Sequence, residues 1–177
     1  MWGPEWGKVG DIGSPAHQGP VPAAGLFGTC QRGDLTGFLG SYRHQLDDKG
    51  RLALPAAFRR NAGDGGFVLL NGHDTSLFLY PARSWADVEK RLGELLQRQP
   101  GSRKSILALT ANAMEVEPDK QGRILIPERL QKAARLEGEA LIVGMLEKIE
   151  IWNPELFADT TAETNPEIER YLRQIFV

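Results

Sequence analysis

A single cysteine, Cys30, stands among the 177 residues, so no intrachain disulfide can form and a reducing cytosol is the default setting. Long apolar runs are missing too. No stretch approaches the roughly 20 residues that a helix needs to cross a bilayer, and the N-terminus lacks the basic start and apolar block of a secretory leader. A membrane partner is therefore not expected. Histidine is scarce: none of His17, His44 and His73 is set beside cysteines or carboxylates at metal-ligand spacing. Neither a glycine-rich phosphate loop nor a nucleophile elbow occurs. The expectation is no enzyme, no catalytic residue, no metal and no cofactor. A net charge of −2 also removes any global attraction to polyanions, which leaves the placement of charge as the question.

What is present is a stretch that occurs twice. Asp47-Asp48-Lys49-Gly50-Arg51-Leu52-Ala53-Leu54-Pro55 returns as Asp119-Lys120-Gln121-Gly122-Arg123-Ile124-Leu125-Ile126-Pro127, at a constant spacing of 72 positions (119−47, 123−51, 127−55). Gly50 and Gly122 permit a positive φ at a tight turn. Asp47 and Asp119 can accept hydrogen bonds from turn amides or pair with the arginine four residues on. Leu52 with Leu54, and Ile124 with Ile126, alternate at strand period and predict one buried face. Pro55 and Pro127 then end the strand and are expected to open a short helix at its first position, where the missing N–H is harmless. Arg51 and Arg123 are thereby projected from glycine-sharpened turns. Arg59 and Arg60 follow the first, Gln131 and Lys132 the second.

At the same offset Val68-Leu69-Leu70 falls over Ala140-Leu141-Ile142, Gly72 over Gly144, Leu77-Phe78-Leu79-Tyr80 over Ile149-Glu150-Ile151-Trp152, and Trp85 over Phe157. Both halves read strand, glycine turn, strand, short helix, hairpin, helix. Phe38 to Leu46 and Met114 to Glu117 are the entering strands, and Val68 to Tyr80 is a hairpin bent at Asn71-Gly72-His73-Asp74. Ser84 with Asp87 predicts a capping box for a helix whose stripe is Trp85, Val88, Leu92 and Leu95. A second helix covers about Arg103 to Ala113, and Pro166 opens a last amphipathic helix with Ile168, Leu172 and Ile175. Each half alone has too few strands to cover its apolar face, so the two are expected to build one pseudo-symmetric barrel with both arginine turns at one end.

Charge follows the repeat. Between Ser41 and Arg60 five bases oppose two acids, and between Glu117 and Arg135 five oppose three, whereas from Leu136 to Glu169 nine acids oppose Lys148 alone. Such a distribution suits a molecule that meets an anion at one end. Asp47 and Asp119 as a symmetric acid pair for catalysis is a poor alternative, since each comes with an arginine that lowers its pKa. The first 35 residues hold 12 glycines and prolines, too little apolar material to offset ordering entropy. Trp2 and Trp6 there lack periodic partners and read as incidental.

From about Phe38 to Trp152 the chain resembles the MraZ family of bacterial transcriptional regulators, which belongs with the AbrB-like swapped-hairpin DNA-binding barrels. The residues that carry the resemblance are Phe38-Leu39-Gly40, Leu46 to Leu52 with Leu54-Pro55, Leu77 to Pro81, Asp119 to Pro127 and Ile149 to Trp152. It implies an α+β fold, a pseudo-two-fold β-barrel of two AbrB-like halves with peripheral helices. The partition is 1–36 a disordered extension, 37–112 the first half with connecting helices, 113–160 the second half, and 161–177 a C-terminal amphipathic helix. The family's Asp-x-x-x-Arg hallmark falls on Asp47 with Arg51 and Asp119 with Arg123, and its basic residues after the proline on Arg59 and Arg60. The implied DNA-binding set is Lys49, Gly50, Arg51, Arg59, Arg60, Lys120, Gly122 and Arg123, with Asp47 and Asp119 in support. The implied partners are double-stranded promoter DNA and further copies of the chain in a ring-shaped homo-oligomer, for instance octamer-like. The resemblance further implies a cytoplasmic, nucleoid-associated protein that represses its own division and cell wall gene cluster through short direct repeats. A protein- or RNA-binding oligomeric barrel without enzymatic activity is the alternative.

Overall fold

A computed structural model of the chain describes residues 37–72, 75–161 and 166–176, all within a unit running from Asp34 to Val177. The glycine- and proline-rich extension, with Trp2, Trp6 and His17, and the bend at His73 and Asp74 lie outside the described residues. The first half consists of β1 (Ser41–Gln45), β2 (Arg51–Ala53), α1 (Ala56–Ala62), β3 (Phe67–Asn71), β4 (Leu77–Pro81), α2 (Ala82–Arg98) and α3 (Arg103–Asn112). The second consists of β5 (Met114–Val116), β6 (Arg123–Leu125), α4 (Glu128–Ala133), β7 (Glu139–Met145), β8 (Lys148–Trp152) and α5 (Pro154–Thr161), followed by α6 (Pro166–Phe176).

The strands form two antiparallel sheets, one of six strands in the order β1-β7-β8-β4-β3-β5 and one of two, β2-β6. The entering strand of each half pairs with the hairpin of the other: β1 lies beside β7, and β5 beside β3. The fold is thus α+β, built from two exchanged repeats. A pseudo-two-fold axis runs through both sheets. It passes between Leu52 and its partner Ile124 in the small sheet, and between Phe78 and its partner Glu150 in the large one. Rings repeat with it, since Tyr80 packs at a tilt against Trp85 with centroids 5.9 Å apart and Trp152 packs edge-on against Phe157 at 5.7 Å.

One strand departs from the 72-residue offset. The residues of β3 that enter the core are Phe67 and Leu69, while those of β7 are Ala140 and Ile142, an offset of 73 (140−67, 142−69). Pairing agrees, because Val116 faces Phe67 and its counterpart His44 faces Ala140. The second half takes up an extra residue around Gly138, at φ 74 beside a Glu137–Glu139 bridge, and gives it back at the hairpin. There Met145 pairs with Lys148 around a two-residue turn, whereas Asn71 pairs with Leu77 around a longer one. Val68-Leu69-Leu70 therefore does not superpose on Ala140-Leu141-Ile142, nor Gly72 on Gly144. Gly144 serves a different need: a Cβ there would lie 2.5 Å from the backbone of Phe38 and Leu39.

A single core joins the sheets. Leu52, Leu54, Ile124 and Ile126 on the small sheet share it with Leu69, Leu77, Leu79, Ile142, Ile149 and Ile151 on the large one, and with Phe58 and Leu130 from α1 and α4. Each such side chain contributes about 1.5–3 kcal/mol of burial. The opposite face of the large sheet is covered in part by α2 and α5, which explains why β3 is buried on both sides and reads as an unbroken apolar run.

Two local expectations are corrected. Pro55 and Pro127 occupy the N-cap, not the first helical position, with ψ 136 and 148, so each still belongs to the extended chain leaving its strand. Ser84 caps nothing: α2 starts two residues earlier, after Pro81, and has no side-chain cap. A built cap is present at α5, where Asn153 Oδ1 accepts from the amides of Glu155 and Leu156.

Candidate nucleic-acid interface

Each motif folds the way its residues require. Gly50 and Gly122 take φ of 76 and 77, and their amides donate to the carbonyls of Asp47 and Asp119 at 2.8 Å. The aspartate side chains hold the rest of the turn. Asp47 Oδ1 accepts from the amides of Lys49 and Arg51 at 3.0 and 2.9 Å, while its Oδ2 accepts from Arg51 Nε at 2.7 Å. In the second copy Asp119 Oδ1 accepts from the amides of Gln121 and Arg123, and Oδ2 from Arg123 Nε and Nη2. These bonds favour the charged form. The Arg51 amide leads in holding the Asp47 carboxyl below its ordinary value, and the Arg123 side chain leads in bringing Asp119 down to about 2.

The antiparallel pairing of β2 with β6 brings the turns together. Arg51 stands opposite Leu125 and Ala53 opposite Arg123, and alternation puts these four on the outward face while Leu52 and Ile124 are fully buried. Arg123 Nη1 lies 3.7 Å from Asp47 Oδ2, the oxygen that Arg51 Nε holds at 2.7 Å. One carboxylate thus spans both guanidinium groups. Neither is sealed in, with 34% of the Arg51 side chain and 25% of the Arg123 side chain accessible.

The remaining candidates are placed differently from one another. Lys49 and Lys120 are exposed at the turn tips. Arg60 is exposed on α1, and its side chain makes no hydrogen bond or ion pair among the described residues. Arg59, next to the first motif in sequence, is packed against the second turn: a Cβ on Gly122 would fall 2.6 Å from its Cζ and Nε. Gln131 does the same for the first turn, where a Cβ on Gly50 would collide with its Nε2. Two residues were missed by sequence reasoning. Gln131 carries no charge to flag it, and Leu125, 53% exposed between the arginines, was visible only as the residue out of phase with Ile124 and Ile126.

Two fixed guanidinium groups and two lysines, carried on a rigid two-stranded ribbon, form a surface that can hold phosphate and present paired donors to base edges. Among the described residues no group of three or more His, Cys, Asp or Glu is arranged to hold a metal, and no described helix is long and apolar enough to cross a membrane.

Comparison with known proteins agrees in one direction. Residues 38–104 and 109–173 each match the model of the MraZ protein family. The transcriptional regulator MraZ of Desulforamulus reducens is 38% identical over 138 residues, 78% of this chain and 96% of that protein. Its namesake in Moorella thermoacetica is 39% identical over 132 residues, 75% and 92% of the two chains. That of Pelotomaculum thermopropionicum is 44% identical over 115 residues, 65% and 79%. The family is one of regulators, not enzymes. Two repeats of one domain, each ending its turn in a carboxylate-held arginine, and relatives of this identity along most of their length make the chain a member of the MraZ family of transcriptional regulators.

Proposed function

We propose that the chain is a sequence-specific DNA-binding regulator that represses its own division and cell wall gene cluster by gripping short direct repeats in the promoter. The observation that carries this reading is the bridging of Arg51 and Arg123 by the single Asp47 carboxylate, which sets two arginines side by side on the outward face of a ribbon. A two-stranded ribbon fits the major groove. Arg51 and Arg123 read base edges there, Leu125 supplies an apolar contact to a thymine methyl, and Lys49, Lys120, Arg59 and Arg60 position the protein on phosphates. Asp47 and Asp119 orient the arginines; facing phosphate, they would repel it.

The same reading takes the two sheets as a closed swapped-hairpin barrel. The Leu46–Leu52 bridge supports closure on one side, where the Asp47 amide donates to the Arg51 carbonyl at 3.0 Å, and on the other side the Asp119 amide donates to the Arg123 carbonyl at 2.8 Å. It also takes the chain as a ring-shaped homo-oligomer in the cytoplasm, associated with the nucleoid. One ribbon makes few contacts, and several copies on successive repeats multiply them through effective concentration. The exposed side chains of Ile168, Tyr171, Leu172, Ile175 and Phe176 on α6 support a helix that packs on a neighbouring copy, since an isolated helix of this length is marginal in water.

A footprint of the purified protein on the DNA upstream of its own gene tests the proposal. Protection is expected at short repeats spaced near one helical turn, roughly 10 base pairs, and retardation is expected to weaken steeply with salt. No protection and no retardation at any salt would instead favour a protein- or RNA-binding module.

A further inference from the structure

The chain that leaves each motif does not stay beside it. Because β2 and β6 run antiparallel about Leu52 and Ile124, the end of each strand arrives at the beginning of the other, which is the other half's turn. The backbone records this: the Leu54 amide donates to the Gly122 carbonyl at 2.9 Å, and the Ile126 amide to the Gly50 carbonyl at 2.8 Å. The helix after each proline is therefore delivered across the axis. Arg59 on α1 donates Nε to Leu54 O at 3.3 Å and lies over Gly122. Its counterpart Gln131 on α4 donates Nε2 to Ile126 O at 2.6 Å and lies over Gly50.

The two braces occupy equivalent positions (131−59 is again 72) but differ in chemistry. Gln131 is neutral and spends its amide on the backbone. Arg59 uses only Nε for that purpose; its Nη1 and Nη2 have no hydrogen-bond partner among the described residues, and the residue is exposed. We infer that Arg59 is a DNA-contacting and positioning residue of the second turn, with Lys120 and Arg123, and that the first turn, braced by Gln131, works with one cation fewer. Sequence order would assign that charge to the first motif. The two halves of the ribbon are thereby unequal toward phosphate, and the richer half is the opposite one. This rests on the DNA-binding reading above, but the crossed bracing does not, and the two can be tested apart.

The crossing is read by thermal unfolding of the full-length protein without DNA. Gly122→Ala introduces both a Cβ at positive φ and a collision with Arg59. Adding Arg59→Ala should restore part of the lost melting temperature, whereas adding Gln131→Ala should restore none. Gly50→Ala should show the reverse preference with a smaller recovery, because its Cβ also meets the Ile126 carbonyl at 2.8 Å, which Gln131→Ala does not relieve. Restoration of either glycine variant by its sequence-adjacent brace, or of Gly122→Ala by neither, would overturn the crossing.

The charge assignment is read by retardation of the duplex upstream of the chain's own gene. Arg59→Gln should weaken binding about tenfold and lower the salt slope by about 1, as expected for one phosphate contact. Its effect should largely vanish in an Arg123→Ala background and persist in an Arg51→Ala background, because residues of one site couple and separate ones add. In the exchanged protein, Arg59→Gln with Gln131→Arg, the coupling should move to Arg51. Coupling of Arg59 to Arg51 in the unexchanged protein, or equal addition to both, would sink the assignment. If Arg51→Ala and Arg123→Ala each bind like the parent, the DNA reading fails and takes the charge assignment with it, while the crossing is still decided by the unfolding experiment.

Discussion

Arg123 in the second turn reaches Asp47 in the first, with Nη1 3.7 Å from Oδ2, while Nη2 sits 2.7 Å from its own Asp119. The second arginine is thus held by two carboxylates and the first by one. Asp47 is the shared element, and its loss should be felt on both sides of the pseudo-dyad.

Asp47→Asn tests that sharing. Removing a negative charge from a basic surface should raise affinity for unrelated DNA, through stronger attraction to phosphate, while loosening both guanidinium groups. The ratio of specific to non-specific affinity is expected to fall roughly fivefold. Asp119→Asn should lower the ratio less. Parallel retardation of promoter and scrambled duplexes measures both numbers, and a larger effect at Asp119 would contradict the geometry.

Acid should dissolve the second turn's clamp in a defined window. The Asp119 carboxyl lies at about 2 in the folded protein against 3.8 ordinarily, chiefly through its bond from Arg123. A folded-state value below the unfolded one means a stabilisation that is complete above about pH 4 and lost as pH falls toward 2. The gap in stability between the parent and Asp119→Asn should accordingly close over that interval in urea titrations. An unchanged gap from pH 5 to pH 2 would show that the clamp contributes nothing.

At the axis, Leu52→Ala and Ile124→Ala each remove a fully buried side chain and should cost about 2–5 kcal/mol. The two face each other, so the double variant is expected to lose less than the sum of the singles once the shared cavity has opened. Simple additivity would argue that the small sheet does not pack as one unit.

On the far face of the large sheet Lys148 is bonded to Glu150 and lies 3.5 Å from the centre of the Phe78 ring, while Trp152 Nε1 donates to Glu150 at 2.9 Å. Only about 15% of either charged side chain is accessible. Lys148→Met, which leaves the carboxylate with one donor, should destabilise by about 3 kcal/mol, whereas replacing both partners by apolar residues of similar size should cost far less. Chemical denaturation distinguishes the two, and equal losses would mean that the pair itself, not the orphaned charge, carries the energy.

Deleting the chain beyond Thr161 should leave the unfolding transition of the core nearly unchanged, because none of the described side chains of α6 joins the core. The mass in solution is where a change is expected. Light scattering of the truncated protein should report smaller assemblies, and an unaltered mass would remove α6 from the assembly contact.

Much of the fold and of the site was legible in the residues alone. The duplicated turn showed itself through Gly50 and Gly122, whose positive φ few other residues tolerate, and through aspartates at the one spacing that lets a carboxylate cap the turn and grip the arginine. The alternation of Leu52 with Leu54 and of Ile124 with Ile126 set the buried face. The one-residue slip of β7 was not legible. Val68-Leu69-Leu70 and Ala140-Leu141-Ile142 are apolar throughout, and a strand buried on both faces loses the alternation that would fix its register.

By itself, then, the sequence determined two arginine turns, the strands that carry them and the family to which they belong, because those depend on dihedral preference and on residues at most a few positions apart. Which turn receives which helix was decided only by tertiary structure. Antiparallel pairing about Leu52 and Ile124 sends the end of each motif to the start of the other, so Arg59 lies over Gly122 and Gln131 over Gly50, a relation between positions more than 60 residues apart (122−59) that no local rule encodes.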